Sequence, residues 1–182
     1  MKLFRYANTG KTASLEQIFE RYYPAIFRYF RYRGADADTA NDLASSTFER
    51  ALARIEQYDP RKAQIQTWLF TIARNVAINH WKSENRNPVA PLEEDLPMPD
   101  AVPLEDSIIL AQDKKQILSA LASLDARAVE IVALKFGGRL TNRQVAELTD
   151  LTESNVGVIL YRTLAKLRSL LMETRMEARH DH

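Results

Sequence analysis

Between Arg61 and Arg86 five cations, Arg61, Lys62, Arg74, Lys82 and Arg86, stand against one acid, Glu84. Trp68, Trp81, His80, Asn75 and Asn79 are interleaved with them. Guanidinium and ammonium groups bind phosphates, amides hydrogen-bond base edges, and aromatic rings stack on unpaired bases. The set therefore suits contact with nucleic acid, but an ordinary solvated helix face uses the same residue types. Both readings stay open from this segment alone. Trp68 falls in register with Leu69 and Ile72 and reads as core rather than as a stacking platform.

A second constellation runs from Thr141 to Leu171, TNRQVAELTDLTESNVGVILYRTLAKLRSLL. Val145, Ala146 and Leu148 give a first helix one apolar face. Val156, Ile159, Leu160, Leu164 and Leu167 repeat at three- and four-residue steps along a longer second helix. Thr152 before Glu153 is a candidate N-cap, and the small Ala146 lies where the helices must cross. These are marks of a helix-turn-helix, whose second helix can enter a DNA major groove. A plain helical hairpin gives the same periodicity.

Other chemistries find little support. Glu93, Glu94 and Asp95 lie together in a proline-rich stretch with nothing packed to hold an acid/base pair. No Ser/His/Asp arrangement has a supporting context. The three histidines have no metal-ligand spacing, and the five glycines form no phosphate-cradling loop. With no cysteine, disulfides, thiolate zinc sites and thiol redox sensing are excluded, which fits a reducing cytoplasm. The net charge of +1 gives no global basic field. The first residues, MKLFRYANTGKTAS, contain no apolar core of a secretory signal, and no stretch reaches the length of a membrane span. The expectation is a cytoplasmic protein without membrane insertion, metal, cofactor or catalytic site.

The elements that must position these residues fall into two groups. Five of the seven prolines lie between Pro88 and Pro103, and Pro88 to Asp113 holds seven acids and no Lys or Arg. Proline fixes φ and removes donors while like charges repel, so this reads as an extended linker. No strand pattern is convincing on either side. The expected fold is all-α: two small helical domains, 1–87 and 107–182, joined by an acidic Pro-rich linker, 88–106, the second domain carrying the helix-turn-helix. In the first domain Leu15 to Arg33 is aromatic-rich, with Pro24 set to kink it or start a new helix and Gly34 to stop it. Asp36 to Tyr58 places Ala40, Leu43, Ala44, Phe48, Leu52 and Ile55 on one face, and Asp59-Pro60 ends it. Gln64 to Asn85 carries Ile65, Trp68, Leu69, Ile72, Val76, Ile78 and Trp81. The second domain adds helices over Ile108 to Leu121 and Ala126 to Phe136, the latter closing at Gly137-Gly138.

A basic-aromatic helical module, an acidic linker and a helix-turn-helix, in that order, resemble the extracytoplasmic-function family of bacterial sigma factors. The likeness runs from about Leu15 to about Leu171. YDPRKAQIQTWLFTIARNVAINHWK is similar to the family's region two, and LASLDARAVEIVALKFGGRLTNRQVAELTDLTESNV to its region four. The resemblance implies a promoter-specificity subunit that binds core RNA polymerase and promoter DNA, and pairs with an anti-sigma factor. It places −10 contacts at Asp59, Arg61, Lys62, Arg74, Asn75, Asn79 and Lys82. It places −35 contacts at Arg143, Ser154, Asn155, Tyr161, Arg162 and Lys166, and polymerase contacts at Asp42 and Glu49. Three positions depart from the family's pattern: no base follows Val156, Ser46 stands where an acid is usual, and Asp150 holds the turn in place of glycine. The alternative is a helix-turn-helix regulator that acts without polymerase, its first module a sensor or dimerisation unit.

Overall fold

Four helix starts are fixed by side chains that accept hydrogen bonds from the first free N–H groups. The Asp36 carboxylate accepts from Thr39 N at 2.6 Å, and Asp125 from Ala128 N at 2.9 Å. Thr141 and Gln144 form a reciprocal capping box, and Thr152 Oγ1 accepts from Asn155 N at 3.2 Å. The backbone bond to Asp36 holds its carboxyl below the ordinary carboxylate range. These caps appear in a computed structural model that describes residues 15–83, 120–121 and 123–180. The expected linker 88–106, and all but the last two positions of the expected Ile108 to Leu121 helix, lie outside those residues.

Six α-helices occur among the described residues: α1 Leu15–Tyr32, α2 Ala37–Ala53, α3 Ile65–Ser83, α4 Ala126–Val132, α5 Asn142–Thr149 and α6 Glu153–His180. A 3₁₀ turn, Ile55–Gln57, follows α2, and a π-helical turn, Ala133–Gly137, extends α4. α1 runs through Pro24 as one element, its proline on the exposed face. Gly34 stops it at φ 99°, with Gly34 N donating to Arg31 O and Ala35 N to Phe30 O, both at 3.1 Å. That pair of bonds is a Schellman closure, which needs a left-handed residue at this place. Asp150 plays the same part between α5 and α6 at φ 55°, and Leu151 N donates to Ala146 O at 3.1 Å. Aspartate tolerates this conformation better than most residues, so the turn forms without glycine.

Burial follows the expected faces with a few exceptions. Ala40, Leu43, Ala44, Ile72, Val76, Val145, Val156, Leu160 and Leu167 are in the core. Leu52, Ile78 and Leu164, each read from periodicity as core, are exposed. Ala51, beside Leu52, is buried. Trp68 is half-buried with its ring 5.2 Å from that of Tyr58.

The two helical modules share one hydrophobic core. α1 packs against the π turn that extends α4, and α3 against α5. At the seam, Glu130 of α4 is buried among three partners from the first module. Tyr29 donates its hydroxyl hydrogen at 3.1 Å, Arg33 forms an ion pair, and Arg74 Nε lies 3.3 Å from Oε1. Arg74 also donates to the Leu148 carbonyl, and the Arg33 guanidinium lies 4.7 Å from the Trp81 ring centre. Burial, then the Glu130 charge, push the Tyr29 phenol well above its ordinary value, so it remains a donor. Gln144 Nε2 donates to Gln64 Oε1 at 3.2 Å and Gln66 Nε2 to Gly138 O at 3.1 Å. Gly137 and Gly138 permit the close approach. A β-carbon on Gly137 would sit 3.0 Å from the Arg28 and Tyr29 backbone, and one on Gly138 would sit 2.8 Å from the Phe70 ring.

Removing one member of a buried charge set leaves the others desolvated and unpaired, at a cost of about 3–5 kcal/mol. Glu130→Ala should lower the unfolding free energy by that order. Adding Arg33→Ala should cost much less than it does alone, because the pair is already broken. A urea-unfolding double-mutant cycle measures this. Additive losses of under about 1 kcal/mol each, the range of solvated surface pairs, would show that the seam carries no buried pair.

Candidate nucleic-acid interface

The loop between the 3₁₀ turn and α3 is built by Asp59. Its carboxylate accepts from Arg61 backbone N, Arg61 Nε and Arg61 Nη2, each at 3.0 Å. Lys62 N donates to Asp59 O at 3.0 Å, and the Tyr58 hydroxyl donates to Ala63 O at 3.0 Å. Asp59 is thus occupied in shaping the loop. Arg61 and Lys62 remain at the surface, the Arg61 side chain 89% exposed. The three bonds from Arg61 hold the Asp59 carboxyl down at about 2 and push the guanidinium further up.

Along α3, Thr71, Asn75, Ile78, Asn79 and Lys82 are all exposed and recur at three- and four-residue steps. They form one outward strip whose middle carries two side-chain amides and whose end carries a cation. Arg74 does not belong to it: its guanidinium is turned into the seam, against Glu130 and Leu148. The sequence placed Arg74 beside Asn75 as a strand contact, and the fold separates the two.

On the second module, Ser154, Asn155, Tyr161, Arg162 and Lys166 are exposed on α6, opposite the buried Val156, Leu160, Thr163 and Leu167. Lys166 Nζ reaches back to donate to Ser123 O at 3.3 Å. Arg143 lies on α5 and pairs one turn on with Glu147, at 3.3 Å, in an exposed bridge. Because the modules are docked, Arg143 and Glu147 face the first module's loop. Pro60, Arg61, Lys62, Gln64 and Thr67 line one wall of a cleft of about 400 Å³, and Thr141, Arg143, Gln144 and Glu147 line the other. Residues that the sequence assigned to two separate surfaces here border one opening. On α2, Asp42 and Glu49 are exposed seven residues apart, on one face.

Sequence reasoning missed the seam. Glu130 lies in an apolar run, AVEIVAL, where a single acid resembles a solvated position. Gln144 closes the capping box of α5, and its amide also crosses to Gln64 and to Thr67 Oγ1 at 3.4 Å. The one visible signal was Gly137-Gly138, two adjacent glycines of only five, read as a helix stop alone. Among the described residues no group of three or more potential metal ligands is found, and no helix is long and apolar enough to cross a membrane.

A carboxylate whose folded value lies below its unfolded one contributes stability above the unfolded value and loses it as the pH falls through the folded one. The Asp59–Arg61 pair should therefore stay complete down to about pH 4, near the unperturbed carboxylate value, and be lost as the pH falls through about 2. Carbon-13 NMR of the Asp59 carboxyl should show that low midpoint. Arg61→Ala should move it up toward about 3.9. An unmoved midpoint would mean that Arg61 does not cause the shift.

Sigma-70 family models match both helical modules. Sigma-70 region 2 matches residues 18–87, and sigma-70 region 4 matches residues 114–167. The chain is 30% identical over 175 residues to the ECF RNA polymerase sigma factor BldN of Streptomyces coelicolor, covering 94% of this chain and 65% of that protein. It is 26% identical over 158 residues to the ECF RNA polymerase sigma factor RpoE of Cereibacter sphaeroides, covering 86% and 85%. Among solved structures, the fold is similar to that of the sigma factor RpoE from Bartonella quintana, crystallised with the anti-sigma factor NepR. The TM-score is 0.68 at 19% identity, over 86% of this chain and 96% of that one. CnrH, solved with the cytosolic domain of CnrY, gives 0.66 at 21% identity, over 91% and 92%. With both sigma-70 regions in order on one chain and relatives of one kind along nearly its whole length, the chain belongs to the sigma-70 family, among the extracytoplasmic-function sigma factors.

Proposed function

We propose that this chain joins core RNA polymerase and directs it to promoters, with residues 1–87 acting at the −10 element and residues 107–182 at the −35 element. The observation that carries the reading is the outward strip Asn75, Asn79, Lys82 on α3 beside the Arg61–Lys62 loop, in a chain that also has a helix-turn-helix. A regulator whose first module only senses or dimerises has no use for exposed amides and cations on that module. Melted bases need groups that hydrogen-bond their edges and hold their phosphates, and this strip supplies both. Asp59 acts by shaping the loop, and Arg74 by joining the modules. Nucleotide addition belongs to the polymerase, and the chain contributes no catalytic group. It works in the cytoplasm, and its protein partners are core polymerase, through the Asp42–Glu49 face of α2, and an anti-sigma factor.

Transcription in vitro with purified core polymerase on a promoter library tests the whole reading. The expected result is initiation at a narrow class of promoters that core polymerase alone ignores. Initiation no different from core alone would sink it. Within that system, Asn75→Ala should slow open-complex formation while leaving closed-complex affinity near the parent's, since it meets bases only after melting. Permanganate footprinting separates the two steps, and an equal loss in both would remove Asn75 from the melted strand. Reversing charge at Asp42 and Glu49 together should lower co-purification with core polymerase by roughly tenfold, as for a loss of about 1.4 kcal/mol. Undiminished recovery would move the polymerase contact off this face.

A further inference from the structure

Val156, Leu160, Thr163 and Leu167 define the buried side of α6. With 3.6 residues per turn, Ser154, Val158, Tyr161 and Ala165 stand on the opposite side, the outermost ridge of the helix. No charge lies on that ridge. Tyr161, 77% exposed, is the most exposed large apolar group on the described surface, and Val158 beside it is 43% exposed. Next to the ridge, Gly157 leaves the helix thin: a β-carbon there would meet only the Asn142 amide nitrogen, at 4.0 Å. No packing demands glycine here, although glycine weakens a helix interior. Beside the ridge runs a polar strip, Asn155 and Arg162, two turns apart. From residue 153 to 168 there are three cations, Arg162, Lys166 and Arg168, and one acid, Glu153. The ridge is thus apolar, its surroundings are cationic, and the backbone beside it can be approached closely.

A DNA major groove matches that arrangement. Phosphates line its edges, and its floor offers one apolar group, the C5-methyl of thymine. We infer that Val158 and Tyr161 read thymine methyl groups in the −35 element, while Asn155 and Arg162 fix the register of the helix in the groove. This rests on the proposed seating of α6 in the −35 groove and adds the base class that it selects. Tyr161 acts through its ring, and its hydroxyl contributes no specificity. The preference is for thymine at two adjacent or nearly adjacent positions, because Val158 and Tyr161 are three residues, or about 4.5 Å of helix rise, apart.

Deoxyuridine, which differs from thymine only by the absent methyl, tests the inference. Holoenzyme made from the full chain is bound to a promoter taken from the library selection. Each −35 thymine is replaced in turn by deoxyuridine. At one or two positions the parent should lose about fourfold in affinity, as expected for one buried methyl. Val158→Ala or Tyr161→Ala should lose affinity for the thymine duplex and show no further loss with deoxyuridine at the matching position. Tyr161→Phe should bind as the parent does. The inference is overturned if no deoxyuridine weakens the parent, if losses from variant and base are additive at every position, or if Tyr161→Phe loses as much as Tyr161→Ala. It is also overturned if the variants lose binding to core polymerase instead, which would make the ridge a protein contact. Failure of the underlying reading looks different: replacing the entire −35 element would then leave holoenzyme affinity unchanged.

Discussion

The buried carboxylate of Glu130 ties the second module to the first. A charge removed from water must find partners, and this one finds the Tyr29 hydroxyl, Arg33 and Arg74. Apolar packing of α1 on the π turn and of α3 on α5 holds the modules together, but a greasy contact tolerates sliding. Three directional partners converging on one acid do not. They fix α4 against the first module in both position and rotation, and α5 and α6 follow through the short connections of the π turn and the Asp150 turn. The Arg33 guanidinium, held between the acid and the Trp81 ring, ties the end of α3 into the same set.

The two exposed surfaces depend on this rigidity in different ways. α3 can present a polar strip because its other sides are filled by Leu69, Phe70, Ile72, Ala73, Val76 and Ala77. The loop ahead of it is held internally by the Asp59 carboxylate and from below by the buried Tyr58, whose hydroxyl donates to Ala63 O. The helix is thus held by packing, and the loop by hydrogen bonds within it. On α6 the stiff body is the helix itself, begun by Thr152 and set at an angle to α5 by a left-handed aspartate.

The sequence disclosed local structure well and tertiary contact poorly, for a physical reason. Caps, turns and apolar periodicity are written within a few residues of one another, so Gly34, Asp150 and Thr152 could be read directly. Leu52, Ile78 and Leu164 show the limit of periodicity: each lies at the margin of an apolar face, and whether a neighbouring element covers that margin is decided elsewhere in the chain. Arg74 shows it more sharply. Its type and place beside Asn75 suited a phosphate contact, and nothing nearby announces the acid some 56 residues on that takes it instead. Of the candidate residues on α3, α6 and the loop, Arg74 is drawn into the seam and Asp59 into shaping the loop, while the rest are exposed; the partners of Glu130 could not be paired without the fold.

The contact between Arg33 and Glu130 spans 97 residues of chain. For a flexible connection the entropy of closing such a ring grows only with the logarithm of its length, so doubling it costs about 0.6 kcal/mol. That is smaller than the loss from any one of the buried charge contacts it would oppose. The docking of the two modules is therefore a property of their facing surfaces and is nearly indifferent to how much chain lies between them. A single methyl added at Gly137 or Gly138, by contrast, cannot be absorbed without moving backbone.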